Sequence, residues 1–166
     1  AESGGGIYLD GSTLLADQVE FLNNEATTSQ GGALFAIDES DVSIEESNIQ
    51  ANVSATEGGG IYLDESPLDL RDSTVQENES GTLWAGVYTF RADVNCTASS
   101  SSKDAGIYNN REASQSQTMS GGGLYAQAAN SQIPVLTIDA SNCDLGSNSS
   151  SSQPDNSPDD LIFQTV

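Results

Sequence analysis

The stretch Gly4-Gly5-Gly6-Ile7-Tyr8-Leu9-Asp10 returns 54 residues later as Gly58-Gly59-Gly60-Ile61-Tyr62-Leu63-Asp64. Midway between them stands Gly31-Gly32-Ala33-Leu34-Phe35, so the spacing is 27 residues each time. Looser copies follow at Ala85-Gly86-Val87-Tyr88, Ala105-Gly106-Ile107-Tyr108 and Gly121-Gly122-Gly123-Leu124-Tyr125. A fixed internal period of this length marks a repeat architecture, in which each unit hides its apolar face only by stacking on its neighbours.

A second element keeps the same beat. Phe21-Leu22-Asn23-Asn24, Ile49-Gln50-Ala51-Asn52 and Val75-Gln76-Glu77-Asn78 each place an apolar residue three before an asparagine. Upstream lie the alternating stretches Asp41-Val42-Ser43-Ile44-Glu45 and Pro67-Leu68-Asp69-Leu70-Arg71, with Val135-Leu136-Thr137-Ile138-Asp139 later in the chain. Period 2 is the signature of a half-buried strand, and no stretch sustains a helical period. Each repeat therefore holds about three short strands, and coiling the chain stacks them about 4.8 Å apart around a shared apolar axis. The expected fold is all-β: a right-handed parallel β-helix (solenoid) of about five to six rungs. It forms a single domain over 1–166, with regular rungs at 4–83, irregular rungs and loops at 84–120, a last rung at 121–146, and a polar tail with a terminal strand at 147–166. Irregular loops are expected at 97–120 and 147–160. The glycines suit a corner that needs positive φ or close backbone approach. Asn24, Asn52 and Asn78 suit another corner, where the left-handed conformation is tolerated and side chains can stack as a ladder.

Gly-Gly-Ala-Leu at 31–34 and Phe-x-x-Asn at 21–24 resemble the GGA(I/L/V) and FxxN repeats of the chlamydial polymorphic outer-membrane proteins. More broadly, they are similar to secreted right-handed parallel β-helix proteins. The likeness covers residues 4–80 well and 121–146 loosely. It implies an exported, extracellular role of the kind played by the passenger domains of surface adhesins. The sequence departs from that family in carrying no membrane anchor or β-barrel segment.

Composition narrows the function classes. The 166 residues carry 25 acidic and 4 basic side chains, a formal charge of −21, and no histidine. Lys103, Arg71, Arg91 and Arg111 supply no basic patch for phosphates, which excludes nucleic-acid binding. Without histidine there is no Ser-His-Asp or Cys-His nucleophile pair and no His-containing zinc site. No apolar run is long enough to span a bilayer as a helix, and the charge repels anionic lipid, so membrane insertion is not expected. The start at Ala1-Glu2-Ser3-Gly4 falls mid-pattern and reads as a processed product or a segment of something longer. So large a charge self-repels at low ionic strength, and high salt, divalent cations or an assembly would screen it.

Four groups of side chains are candidates for chemistry. Cys96 and Cys143 align with the inward slot of Phe21, Ile49 and Val75; they are either free core thiols or a disulfide on adjacent rungs, which requires Cα atoms closer than about 7 Å. The Asn-x-Ser/Thr triplets at Asn52, Asn78, Asn95 and Asn148 are glycosylation candidates. At Asn52 and Asn78 an inward ladder and a solvent-facing, modifiable corner exclude each other; the solvent-facing reading is preferred. Asp10 and Asp64 hold equivalent positions with Asp38 near them. This acidic column could bind Ca²⁺, act as general acid and base as in pectin-degrading β-helix hydrolases, or simply cap turns. Finally, Tyr8, Phe35, Tyr62, Tyr88, Tyr108 and Tyr125 recur at one position, either as an outward sugar-binding platform or as a packed column; if the preceding aliphatic points inward, alternation turns them outward, where they would want a cover.

The expected function is a non-enzymatic extracellular structural protein: a surface filament, stalk or adhesin module that stacks end to end and carries glycans. Its assembly edge would be Gly4, Gly5, Gly6, Ile7 and Tyr8, joined by the apolar run Leu161, Ile162 and Phe163. Its partners would be further copies or domains of the same surface protein. No cofactor is required, with Ca²⁺ and N- or O-linked glycans as the candidates. The alternative is a carbohydrate-active β-helix protein, a polysaccharide hydrolase or lyase or a glycan- or calcium-binding module, using the Asp10/Asp38/Asp64 column.

Overall fold

A computed structural model describes residues 1–99, 105–113, 122–128, 136–138, 143–145 and 161–165. Every regular element among them is a β-strand, and every pairing is parallel. Four parallel sheets form the faces of a β-solenoid. The first face stacks Ile7–Asp10, Leu34–Ile37, Ile61–Asp64, Val87–Phe90, Leu124–Ala128 and Leu161–Thr165 in that order. The second stacks Thr13–Asp17, Asp41–Glu45, Leu68–Arg71, Val94–Thr97 and Leu136–Ile138. The third stacks Glu20–Leu22, Asn48–Gln50, Thr74–Gln76 and Gly106–Tyr108; the fourth stacks Glu25–Ala26, Val53–Ser54, Glu79–Ser80 and Arg111–Glu112.

The rung count differs from the expected five to six. Three turns, over 7–26, 34–54 and 61–80, are regular and four-sided. A fourth turn widens between its second and third faces, and beyond it only the first face reaches six strands. The expected loop at 97–120 is interrupted by two strands, because Ile107 fills the apolar slot above Val75. Ala105-Gly106-Ile107-Tyr108 is therefore no glycine-corner copy. It lies on the third face with Tyr108 opposite Gln76, which removes Tyr108 from the aromatic column.

Alternation sorts the side chains. Leu34, Ile61, Val87 and Leu124 form one fully buried column, and Val42, Leu68 and Val94 another. Phe21, Ile49, Val75 and Ile107 form a third. Each such side chain contributes about 1.5–3 kcal/mol of burial, which is what lets a chain poor in hydrophobics fold.

Several corners share one device. A residue with positive φ turns the chain, and the next residue sends a small polar side chain inward. Between third and fourth faces the turning residues are Asn23, Ala51, Glu77 and Asn109, at φ 54–55°. The inward ones are Asn24, Asn52, Asn78 and Asn110. Asn52 Oδ1 accepts from both the backbone N–H and Nδ2 of Asn24, at 2.9 Å each, while its own Nδ2 donates to Asn78 Oδ1 and to the Phe21 carbonyl. Asn78 repeats this against Asn110 and Ile49. Serines do the same at other corners: Ser47 Oγ accepts from the Val19 N–H and Ser73 Oγ from the Ser47 N–H, with Ser40 and Ser66 in a parallel column. At the fourth corner Gly58 has φ +62°, and a Cβ on Gly32 would sit 2.0 Å from the Gly59 carbonyl oxygen.

Asn52→Ala orphans several buried partners at once and is expected to lower stability by about 3 kcal/mol in urea unfolding. A change near zero would mean that the ladder does not hold the corner.

Candidate functional site

The outward column of the first face is a stack of rings. Tyr8, Phe35, Tyr62, Tyr88 and Tyr125 follow each other with centroids 5.2, 5.0, 4.9 and 5.2 Å apart and planes within 17° of parallel. The register supplies this spacing, since neighbouring strands in a sheet lie about 4.8 Å apart. At its upper end Trp84 takes the corner position that Gly58 holds one turn earlier, at φ 49°. That backbone conformation is unfavourable for a bulky residue, and the indole offsets it by stacking on Tyr125 at 3.6 Å and tilting against Tyr88 at 5.3 Å. Trp84 and Tyr125 are thereby buried, whereas Tyr8 is 53% exposed. Sugars bind aromatic platforms through ring faces; here the faces cover one another, and the free one is at Tyr8.

Burial raises the hydroxyl pKa values in the stack. Tyr62 is pushed up from 10.0 to about 12, first by burial and then by the carboxylates of Asp64 and Glu57. Tyr88 is also raised, by burial first and then by Tyr62 and Tyr125; its hydroxyl donates to Gln127 Oε1 at 2.8 Å.

The first rung differs from those above it. Its inward residues Ile7, Leu9 and Leu14 are only partly buried, because nothing among the described residues lies below them. Its outward positions are apolar as well. Among the described residues five large hydrophobics are exposed, and four of them, Tyr8, Leu15, Val19 and Leu22, belong to this rung. On the next turn Leu15 is replaced in register by Ser43, and Leu22 by Gln50. Gly4, Gly5 and Gly6 carry this rung onto the second through bonds to the carbonyls of Gln30, Gly31 and Ala33. Leu161, Ile162 and Phe163 lie at the opposite edge of the same sheet, in register with Leu124, Tyr125 and Ala126, so within one chain the two halves of the expected assembly edge are not brought together.

The cysteines form a disulfide, Cys96–Cys143, with Cα atoms 6.1 Å apart. Their expected slot is corrected: Cys96 is on the second face above Leu70, whereas Cys143 precedes Asp144, which bridges Gly106 of the third face. The bond crosses a corner between rungs, because Ile107 already occupies the slot above Val75.

The sequons separate. Asn52 and Asn78 are fully buried ladder members, which corrects the preferred solvent-facing reading: positive φ belongs to the preceding Ala51 and Glu77, so the asparagines point in. A glycan on either would displace two rungs of hydrogen bonds. Asn95 lies on the second face, half-buried, with Nδ2 donating to Asp69 Oδ1 at 3.0 Å. Asn148 lies outside the described residues.

The acidic column does not form. Asp10 pairs with Ile37, which follows Ala36, itself opposite Leu63; Asp38 is one step further on, at the corner with φ 55°. Asp64 is held instead by Arg91 at 2.9 Å. No group of three or more acidic, cysteine or histidine side chains among the described residues could hold a metal ion. Among the described residues, six of the twelve non-glycine residues with positive φ are acidic (Asp38, Glu39, Glu46, Glu65, Asp72 and Glu77), so part of the negative charge radiates from corners. All three arginines reach an acid on the rung below: Arg71 to Glu45, Arg91 to Asp64 and Glu65, and Arg111 to Glu79. Such exposed pairs contribute little to stability.

Comparison of the chain with protein-family models, with curated proteins and with solved structures finds no match.

Two outcomes follow from this geometry. A raised tyrosine pKa contributes stability that is complete below the unfolded value of 10.0 and is lost as pH climbs toward about 12. Urea unfolding across that window should therefore weaken more steeply for the wild type than for Tyr62→Phe; equal slopes would contradict the assignment. The disulfide closes a separation of 47 residues. On loop-closure grounds its reduction should remove about 4 kcal/mol, seen as a lower unfolding midpoint that Cys96→Ser reproduces.

Proposed function

We propose that the chain is an extracellular structural module of a surface filament, stalk or adhesin, working by end-to-end stacking of solenoids and not by catalysis. The observation that carries this reading is the first rung. Its four strands, Ile7–Asp10, Thr13–Asp17, Glu20–Leu22 and Glu25–Ala26, each form the edge of a sheet, and Tyr8, Leu15, Val19 and Leu22 ring them with apolar surface. An edge strand with unpaired backbone groups is a template for another strand, and apolar outer side chains favour its being covered.

The occupant we assign is the terminal strand of a second copy. Leu161–Thr165 continues the register of the first face, with Leu161 in the column of Leu124, Ile162 in that of Tyr125 and Phe163 in that of Ala126. Set against Ile7–Asp10, it would prolong the inner columns at Ile7 and Leu9 and cover the free ring face of Tyr8. A head-to-tail contact does not close on itself and so yields a fibre. The disulfide supports an oxidising location, where such bonds persist. The carbohydrate-active alternative would need Asp10 and Asp64 to act across the rung where Ile37 stands between them.

Stacking brings chains of charge −21 together, so assembly should grow with ionic strength as repulsion is screened. Light scattering and electron microscopy of the concentrated protein in rising salt should show linear assemblies. Tyr8→Lys combined with Leu15→Lys should abolish them while leaving the melting of the single unit intact. Monomers at every salt concentration, or assembly indifferent to both substitutions, would overturn the reading.

A further inference from the structure

We infer that Asn95 is the site at which this fold accepts an N-linked glycan, and that Asn52 and Asn78 are refused by it. The inference rests on the exported reading above but not on end-to-end stacking. Three Asn-x-Ser/Thr triplets lie within the described residues, and the solenoid treats them oppositely. Asn52 and Asn78 have no exposed surface, and each Nδ2 already donates to an asparagine of the next rung and to a carbonyl of the rung before. No sugar can be attached there without dismantling the corner.

Asn95 stands on the Val94–Thr97 strand of the second face. Strand alternation sends Cys96 inward to the disulfide and turns Asn95 and Thr97, the first and third residues of the triplet, to the same outer side. One amide hydrogen of Asn95 Nδ2 is used by Asp69 and the second is left for substitution, while Oδ1 of the same amide is buried without a hydrogen-bond partner. Beside it opens a groove of about 420 Å³ lined by Asp41, Pro67, Asp69 and Asp93 as well as Asn95 itself. That is room for a first sugar residue, and the carboxylates of Asp41 and Asp69 along its wall are acceptors for sugar hydroxyls. Cys96, the middle residue of the triplet, is bonded to Cys143, and such bonds persist in oxidising compartments, the kind of route on which lipid-linked oligosaccharides are transferred.

The step itself balances. Nδ2 of Asn95 forms the C–N bond to the anomeric carbon of an oligosaccharide carried on a lipid pyrophosphate. The bond from that carbon to the pyrophosphate oxygen breaks, and the proton lost by Nδ2 ends on the departing pyrophosphate. No oxidant or reductant is needed.

The test is secretion of the full chain from a eukaryotic host, followed by peptide mapping of the soluble protein before and after an amidase that releases N-glycans. Sugar is expected on Asn95 and absent from Asn52 and Asn78. Thr97→Ala should remove it from Asn95, while the Cys96–Cys143 bridge and the melting temperature stay within a few degrees of the wild type. An unmodified Asn95 on bridged, folded protein overturns the site and leaves the exported reading standing, since the bridge still reports the route. Sugar on Asn52 or Asn78 of folded protein overturns the proposed selection.

Discussion

One constraint holds the rest of the molecule in place: the buried asparagines at the corner between third and fourth faces can be satisfied only when successive turns are in register. Each Oδ1 accepts two bonds from the turn below, and each Nδ2 reaches the carbonyl three residues before the preceding asparagine: Phe21 for Asn52, Ile49 for Asn78, Val75 for Asn110. A slip of one residue would strand all of these groups in a dry interior, a penalty of about 1–3 kcal/mol for each. The apolar columns supply most of the driving force, but Leu, Ile and Val are interchangeable among their slots. The amides are not.

Once register is fixed, the outer surface follows from it. The rings from Tyr8 to Tyr125 are stacked because each rung puts an aromatic at the same step, and the strand spacing brings the faces together. The same stacking bears on how so acidic a chain holds its charge: left-handed corners carry six of the carboxylates away from the core, and each arginine is placed one turn above its acid. It also explains why the first rung stands out. Tyr8, Leu15 and Leu22 occupy slots where Phe35, Ser43 and Gln50 sit above them, so two of the three positions have exchanged a polar residue for an apolar one at the end of the stack.

The 27-residue beat of glycine, aliphatic and aromatic residues was enough to read the parallel solenoid, its inner columns and an aromatic column, though not which way that column faces. Three features were harder to see. At Asn24, Asn52 and Asn78 the sequence marks a corner, but which of two adjacent residues turns left-handed decides whether the amide points in or out, and Asn23-Asn24 satisfies either choice. Ala105-Gly106-Ile107-Tyr108 copies the glycine-corner motif while its strand partner is Thr74-Val75-Gln76, because an insertion in the fourth turn shifts the phase. The same shift misplaced the cysteines, which meet across a corner and not within one column. The serine columns left a signal that could have been found: Ser40 and Ser66, like Ser47 and Ser73, are 26 residues apart, the period of the asparagines Asn52 and Asn78.

The most direct test of the central claim is residue-resolved hydrogen exchange at the backbone amides of Asn24, Asn52 and Asn78, each bonded to a side-chain oxygen of the following turn. In-register stacking predicts that the Asn52 and Asn78 amides are strongly protected and open together in a single cooperative event, with Asn24 less protected at the exposed end. Rapid, independent exchange at Asn52 and Asn78 in the folded protein would contradict it.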